Sequence, residues 1–341
     1  MARVARSDIV QPDGRHVYLY GDFSPPPEDY QAPTMPTGGV YQRRWNPLRR
    51  EWVLVAASRQ ARTFLPERAE CPLCPASPGH STEIPASKYG AAVFENRFPA
   101  MVPMEKPAGG ICEVVVYTQE HEGSFATLPA AALERLAEVW TDRYRVLSAR
   151  SGIRYVFIFE NRGEQVGVTL HHPHGQIYAY PFVPPVPAAE LRRQTHGCLQ
   201  CRLIDDELKG KRRVLINGNG MVAYVPGYAR WPYEVHVMPG AHRASLTSLS
   251  PAGRVALLLA MQRIARAYDG LFGVTMPYMM VMHQAPAGKA VDQAHLHVEF
   301  YPILRDRGKL KYLAGSESGA GVFINDTLAE ESAERLRAIL E

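Results

Sequence analysis

The chain has 341 residues, of which 46% are hydrophobic and 21% are charged, a balance typical of globular proteins. This length accommodates two ordinary domains, or one large sheet built from two halves. The net charge of +4 suits a small anionic substrate and does not indicate nucleic acid as a partner. Because the sequence contains no run of 18 apolar residues and no signal-like N-terminal segment, we expect a cytoplasmic protein that does not cross a membrane.

Residues 1–40 are rich in proline, aspartate and glycine, which predicts an extended N-terminal arm. We place the two halves that follow at residues 41–185 and 186–341. A proline-rich joint begins at Pro181, and the C-terminal residues Glu330 to Leu340 predict a final helix.

The first half begins with a pair of cysteines separated by two residues, Cys71 and Cys74. Glu113 follows in a strand-like run, and His121 lies eight residues after it. An apolar stripe with i, i+3, i+4, i+7 spacing then predicts a helix across residues 133–147.

The most informative stretch is His172-Pro173-His174-Gly175-Gln176, which follows a hydrophobic, strand-like run. Two imidazoles separated by one residue lie on the same face of an extended segment, and Gln176 returns to that face. Pro173 fixes the backbone between them, while Gly175 allows a ligand to approach closely. These are the parts of a phosphoryl-transfer site, in which one imidazole attacks phosphorus, one anchors the loop, and a neutral amide donates to phosphoryl oxygens. HxH alone would indicate two packed strand histidines; the proline, glycine and glutamine favour the catalytic interpretation.

The second half repeats these landmarks in the same order and at nearly the same spacing, which indicates a tandem duplication. The matching residues are Cys198 and Cys201, then Glu234, His242, a predicted helix from Ser250-Pro251 to Tyr268, a strand from Tyr278, and His295-Leu296-His297. Glu299 takes the place of Gln176, and its carboxylate would repel a phosphate. We therefore expect one nucleophile per chain, in the first half.

Each half supplies two cysteines and two histidines, the ligand set that zinc prefers for a closed structural site. The first set is Cys71, Cys74, His121 and His172, and the second is Cys198, Cys201, His242 and His295. A redox-active cysteine pair is the competing interpretation. It is disfavoured in the first half because the prolines after Cys74 cannot start a good helix.

Many short strand-like runs around two long helices indicate an α+β fold. We predict tandem halves that form one mainly antiparallel sheet with flanking helices.

The HPHGQ stretch, the upstream cysteine pair and the duplicated halves resemble the galactose-1-phosphate uridylyltransferase family of the histidine triad superfamily. The resemblance extends from Arg43 to the final helix and implies histidine-triad-like halves. It also implies a ping-pong reaction: His174 attacks the α-phosphorus of UDP-glucose, releases glucose 1-phosphate, and passes the bound UMP to galactose 1-phosphate. Gln176 would hydrogen-bond the phosphoryl oxygens.

The resemblance also implies substrate contacts and a homodimer. Arg59 and Arg62 match arginines that reach substrate phosphates from a neighbouring subunit. Arg97 stands where the family usually has an aspartate beside the ribose. The remaining implied substrate contacts are Asn96, Asn161, Gly167, Thr169, Lys311, Tyr312 and Glu317. In some members Glu190, His283, His295 and His297 match a second metal set, so the second metal is zinc or iron.

Two alternatives remain open. A related transferase or phosphorylase acting on an ADP-sugar or dinucleoside polyphosphate is one, and Arg97 keeps it open. A non-catalytic zinc module that binds nucleotides or nucleic acid is the other, although the chain lacks the basic and aromatic stripe of single-strand binders.

Overall fold

The computed structural model describes residues 4–36, 39–61, 65–102, 109–194, 197–288 and 293–341. Among the described residues, none of the helices combines the length and apolar character needed to traverse a bilayer. The α-helices are α1 (Ala130–Ser148), α2 (Pro185–Arg192), α3 (Leu199–Gly210), α4 (Pro251–Leu271) and α5 (Ala329–Leu340).

The strands are short, and most are buried. They are β1 (Arg6–Val10), β2 (His16–Tyr20), β3 (Tyr41–Asn46), β4 (Glu51–Ala56), β5 (Ala91–Glu95), β6 (Ile111–Val116), β7 (Tyr155–Arg162), β8 (His174–Tyr180), β9 (Val214–Gly218), β10 (Met221–Tyr224), β11 (Val235–Pro239), β12 (Tyr278–His283), β13 (His297–Pro302), β14 (Leu304–Asp306) and β15 (Lys309–Leu310).

Eleven of these strands form one sheet in the order β1-β2-β5-β6-β8-β7-β12-β13-β11-β10-β9, and β3-β4 and β14-β15 are separate hairpins. The pairs β1·β2, β2·β5, β5·β6, β6·β8, β12·β13, β13·β11 and β11·β10 are antiparallel. The predicted α+β fold with a mainly antiparallel sheet is confirmed.

The prediction of an extended arm over residues 1–40 is wrong for its first part. Residues 6–20 form the hairpin β1–β2, in which β2 pairs with β5 and carries the fully buried Val17. The turn of this hairpin uses Gly14 at φ +84°, a conformation that favours glycine. Proline and glycine between residues 25 and 39 dominated the composition of the region and concealed the short apolar run of β2, Val17 to Tyr20.

The chain divides into two compact units. The first comprises Met1–Ile158, Thr169–Glu190 and Pro286–Ala290, and the second comprises Phe159–Val168, Leu191–Ala285 and Val291–Glu341. In the first unit, a core cluster that includes Cys71, Leu73, Phe94 and Val114 lies beside the strand that carries His174. The cysteine pair of the first half and the apolar part of the pocket lining therefore belong to the hydrophobic core or pack against it.

The two units repeat local structure as well as sequence. Before α1, the backbone N–H of Ser124 donates to Thr127 Oγ1 at 2.9 Å, and before α4 the N–H of Ser245 donates to Ser248 Oγ at 3.1 Å. Both of these hydrogen bonds stand at the start of a 3₁₀ turn, and the two N-cap serines have nearly identical backbone angles. This agreement supports the predicted duplication at the level of individual hydrogen bonds.

Both long helices form as their patterns predict. The stripe of α1 is buried, with Leu136 and Trp140 fully inaccessible to solvent. In α4, Ser250 Oγ accepts the N–H of Gly253 at 3.1 Å and Pro251 is the first helical residue.

Candidate functional site

His174 is the first residue of β8, and its Nδ1 lies 2.7 Å from the carbonyl oxygen of His172. A carbonyl can only accept, so Nδ1 carries the proton and Nε2 of the neutral ring keeps its lone pair. Burial lowers the pKa of His174, which favours that neutral form. The ring is therefore prepared as a nucleophile through Nε2.

His172 lies in the bend before β8, so the extended segment expected to carry both histidines begins only at His174. Its ring is buried, and Nε2 lies 2.8 Å from the carbonyl oxygen of Thr118. This contact leaves Nδ1 to face the cysteines, and burial lowers the pKa of His172 to about 4. A neutral imidazole with a free Nδ1 can ligate a metal.

The first Cys/His set comes together around one point. Cys74 Sγ lies 3.3 Å from His121 Nδ1 and 3.6 Å from His172 Nδ1, and Cys71 Sγ lies 3.9 Å from His172 Nδ1. Ligands at ordinary zinc–sulfur and zinc–nitrogen bond lengths in a tetrahedron are about 3.6 Å apart. The spacing of these atoms fits a zinc ion at their centre.

The second set has the same arrangement. His295 Nδ1 lies 3.4 Å from Cys198 Sγ and 3.5 Å from Cys201 Sγ, and Cys201 Sγ lies 3.6 Å from His242 Nδ1. His295 Nε2 contacts the carbonyl oxygen of Pro239 at 2.9 Å, as His172 contacts Thr118. Unlike the first pair, this pair does open a helix, since Cys198 is the N-cap of α3.

The thiols need a cation to ionise. Burial and the neighbouring Cys71 thiol raise the pKa of Cys74 to about 12, and burial together with Cys198 raises that of Cys201 to about 11. A bound zinc ion supplies the positive charge that holds such thiols as thiolates. The donor chemistry therefore fits the metal in both sets.

A pocket opens beside His174 in the first unit. It is lined by Arg59, Pro72, Leu73, Glu83, Phe94, Asn96, Arg97, Phe98, Val114, Thr169, Leu170, His174 and Gln176. Phe94, Val114 and Gln176 stand directly opposite one another on β5, β6 and β8, so they form one row on the same face of the sheet. Five residues that the resemblance implied for substrate contact or catalysis, besides His174, meet here: Arg59, Asn96, Arg97, Thr169 and Gln176.

Gln176 presents a buried amide to this pocket. Its Oε1 accepts no hydrogen bond from the described residues. Because the oxygen and nitrogen of an amide exchange positions when the group rotates, this end of the side chain can donate to a phosphoryl oxygen.

Arg59 lies in the wall of the pocket of its own chain, where Nη1 donates to the carbonyl oxygen of Phe98 at 2.9 Å. The resemblance implied that Arg59 reaches substrate phosphates from a neighbouring subunit, and this role stays a prediction. The hairpin β3–β4 precedes the 3₁₀ turn Ala57–Ala61 and brings Arg59 to this position. Arg62 lies outside the described residues.

Asn96 and Arg97 follow β5. Asn96 Oδ1 accepts the N–H of Phe98 at 2.8 Å, which shapes the turn. Arg97 Nε lies 2.9 Å from Oε1 of Glu83, a carboxylate that the sequence did not single out. Glu83 lies in a loop rich in prolines and small residues, and it carries no motif that could have identified it.

The other predicted contacts belong to the second unit. Asn161 lies in β7 and is half-buried, and Gly167 ends a 3₁₀ turn at φ +79°. Lys311 Nζ lies 2.6 Å from Glu317 Oε1, whereas Tyr312 is 70% exposed.

In the second unit His297 has the same tether as His174, namely a hydrogen bond from Nδ1 to the carbonyl oxygen two residues earlier. Nδ1 of His297 lies 2.8 Å from the carbonyl oxygen of His295. The surroundings differ. His236, for which spacing suggested no partner, is buried, and its Nε2 lies 2.9 Å from Glu234 Oε1 and 3.5 Å from Glu299 Oε1. Glu190 lies in α2.

Comparison with known proteins agrees with this geometry. Residues 103–184 match the family model for the N-terminal domain of galactose-1-phosphate uridyl transferase, and residues 190–341 match the model for its C-terminal domain. The chain belongs to the galactose-1-phosphate uridylyltransferase family. The resemblance based on HPHGQ is confirmed, and with it the expectation of a uridylyltransferase enzyme.

Known proteins of this uridylyltransferase family align with most of the chain. A galactose-1-phosphate uridylyltransferase of Thermotoga maritima is 39% identical and covers 87% of this chain and 98% of its own. A solved uridylyltransferase structure superposes with a TM-score of 0.80 at 34% identity, covering 88% of this chain and 98% of that one. The solved ADP-glucose phosphorylase of Arabidopsis thaliana, at 22% identity and a TM-score of 0.68 over 87% of this chain and 99% of that one, shares the fold.

Proposed function

We propose that this protein transfers UMP from UDP-glucose to galactose 1-phosphate in two steps, with His174 as the covalent carrier, and so produces glucose 1-phosphate and UDP-galactose. The tether that leaves Nε2 of His174 unprotonated at the mouth of a pocket carries this proposal. Family membership supports the choice of substrates.

In the first step Nε2 attacks the α-phosphorus, forms a nitrogen–phosphorus bond, and breaks the bond to the oxygen of glucose 1-phosphate. The leaving group departs as a phosphate anion and requires no proton. Positive charge develops on the imidazole, and the hydrogen bond from Nδ1 to the carbonyl of His172 stabilises it. Gln176 donates to a phosphoryl oxygen.

In the second step a phosphate oxygen of galactose 1-phosphate attacks the same phosphorus and the bond to Nε2 breaks. The imidazole leaves as a neutral ring, with its proton still on Nδ1. Gln176 cannot deliver a proton to a leaving group, which favours transfer between two phosphates.

We propose structural zinc in both Cys/His sets. His172 would hold the ion through Nδ1, and this bond would fix the carbonyl that orients His174. The two cysteines and two histidines of the second set favour zinc over iron there too, since thiolate and imidazole in a tetrahedron are the ligands zinc prefers.

We also propose a homodimer in the cytoplasm. The hairpin β3–β4 supports self-association because it exposes an apolar surface: Trp45 and Val53 are each 47% exposed and Leu48 is 94% exposed. Cytoplasmic location remains a prediction from the sequence.

Intact mass spectrometry after incubation with UDP-glucose alone tests the function. We expect one uridylyl group per chain, released glucose 1-phosphate in equal amount, and no adduct in His174→Ala. His297→Ala is the matched control, since His297 has the same tether, and it should keep the adduct. Stoichiometric labelling by ADP-glucose in place of UDP-glucose would favour the adenine-nucleotide alternative, and absence of any adduct would leave a binding module.

A further inference from the structure

Glu83 is the carboxylate among the described residues that line the pocket. Its side chain is 5% exposed and lies between two guanidinium groups. Oε2 accepts from Arg15 Nη1 at 2.9 Å, and Oε1 lies 2.9 Å from Arg97 Nε. A buried acid beside a site for an anionic substrate requires a chemical reason, because a carboxylate and a phosphate repel each other.

The turn of the N-terminal hairpin holds this carboxylate in place. Arg15 is 3% exposed, and it donates from Nε to Asp13 Oδ2 at 2.8 Å and from Nη1 to the carbonyl oxygen of Glu95 at 3.1 Å. Asp13 in turn accepts the N–H of Met35 at 2.9 Å. Asp13, Arg15, Glu83 and Arg97 thus form a chain of alternating charge from the hairpin to the pocket wall.

A nucleotide offers few groups that a carboxylate can bind. A carboxylate has about four acceptor positions, and the hydrogen bond from Arg15 occupies one of them, while Arg97 forms an ion pair beside Oε1. The phosphates offer only acceptors, so the partners are hydroxyl or N–H donors of the nucleoside or of the hexose. The adjacent 2′ and 3′ hydroxyls of ribose match a fixed carboxylate, and dinucleotide-binding folds use an acidic residue for the same group.

We infer that Glu83 binds the ribose hydroxyls of the nucleotide substrate and makes the site specific for ribonucleotides, and that Arg15 is the positioning residue that holds it. Arg97 neutralises the carboxylate on its other side, and its guanidinium lies over the ring of Phe98 at 5.1 Å. The inference rests on the proposed function, since it concerns the substrate of the same pocket.

Comparison of UDP-glucose with its 2′-deoxy and 3′-deoxy analogues tests this inference. The rate of glucose 1-phosphate release gives kcat/KM for each substrate. The native protein should prefer UDP-glucose on the order of tenfold to a hundredfold over each analogue, as expected for loss of a hydrogen bond to a charged group. A native protein that uses all three equally would overturn the inference without any variant.

Two variants assign the preference to Glu83. Glu83→Gln removes the charge, and Glu83→Asp keeps the charge but withdraws the carboxylate by one methylene. Both variants should lower kcat/KM for UDP-glucose towards the value for the deoxy analogues. They should change kcat/KM for the analogues little. Glu134→Gln, which alters an exposed carboxylate of α1, is the charge-matched control and should keep the native preference.

Arg15→Lys should raise KM for UDP-glucose more than it lowers kcat, because it loosens a binding group and leaves His174 untouched. Equal slowing of all three substrates by the Glu83 variants would indicate a structural role and refute the inference. Failure of the proposed function would look different: the native protein would form no adduct with UDP-glucose at all.

Discussion

Loss of one thiol from the first Cys/His set tests whether the metal site acts on catalysis through His172. In Cys74→Ser the sulfur that lies 3.3 Å from His121 Nδ1 and 3.6 Å from His172 Nδ1 is replaced by a hydroxyl, which is a poor zinc ligand. His172 then loses one of its two restraints and keeps the contact of Nε2 with Thr118. Its carbonyl, which accepts the proton of His174 Nδ1 at 2.7 Å, becomes less well fixed.

The size of the effect follows from this single connecting hydrogen bond. Loss of a supporting interaction around a metal ligand typically costs 10–100-fold in activity. That range corresponds to about 1.4–2.7 kcal/mol of transition-state stabilisation. We therefore expect adduct formation to slow by about 10–100-fold without being abolished, because the nucleophile itself remains.

Metal content per chain and the rate of adduct formation are measured on the same samples. Cys201→Ser is the matched control: it occupies the corresponding position of the second set, and it should lose one metal while retaining nearly the native rate. Circular dichroism checks that both variants are folded. If Cys74→Ser loses its metal and still reacts at the native rate, the connection from metal to nucleophile does not exist.

Three further predictions concern catalysis and stability. Gln176→Ala should slow adduct formation by about a hundredfold or more in stopped reactions with UDP-glucose, because one phosphoryl donor is lost. Arg143→Met should lower the free energy of unfolding in urea by about 3–5 kcal/mol, since it leaves the buried Glu113 unpaired, whereas combining it with Glu113→Leu should recover most of the loss. Burial raises the pKa of Asp142, but hydrogen bonds, first from Arg6, outweigh burial, so the net pKa is lowered. The Arg6–Asp142 pair therefore stabilises the fold at pH values above the ordinary carboxyl pKa. This contribution disappears as the pH falls through the lower pKa of the folded state. Urea titrations of Arg6→Gln should accordingly differ from the native protein at pH 7 and converge with it in acid.

The clustering of the two Cys/His sets could be predicted because the information for it lies in residue identity and spacing. Cysteines and histidines are chemically distinctive, and the duplication presented the same set twice, so each copy supported the other. The helix α1 could be predicted for a similar reason, since its stripe repeats at the helical period and is buried in the structure.

The ion-pair network of Asp13, Arg15, Glu83 and Arg97 could not be predicted, because no local sequence feature indicates it. Arg15 and Glu83 are 68 residues apart in sequence and meet only because β2 pairs with β5. Strand register and the order of strands in a sheet depend on long-range pairing that a periodic pattern does not encode.

The duplication raises the question of why only one half should carry a nucleophile, when both halves tether a histidine in the same way. The answer lies in the row of side chains across the sheet. In the first unit this row is Phe94, Val114 and Gln176, an apolar floor that ends in a neutral amide.

In the second unit the corresponding cross-strand row is Tyr224, His236 and Glu299. The ring centroids of Tyr224 and His236 are 5.9 Å apart, so these side chains occupy the space above the sheet. Arg230 and Tyr301 also contact the Glu299 carboxylate. The nearby histidines, outweighing burial, lower the pKa of Glu299 well below the ordinary value, so a negative charge stands where a phosphate would have to bind. Tyr224, His236 and Glu299 thus stand on three neighbouring strands where the first unit has Phe94, Val114 and Gln176, and they form a packed polar core in place of a substrate pocket. A single replacement such as Glu299→Gln should therefore not make His297 reactive.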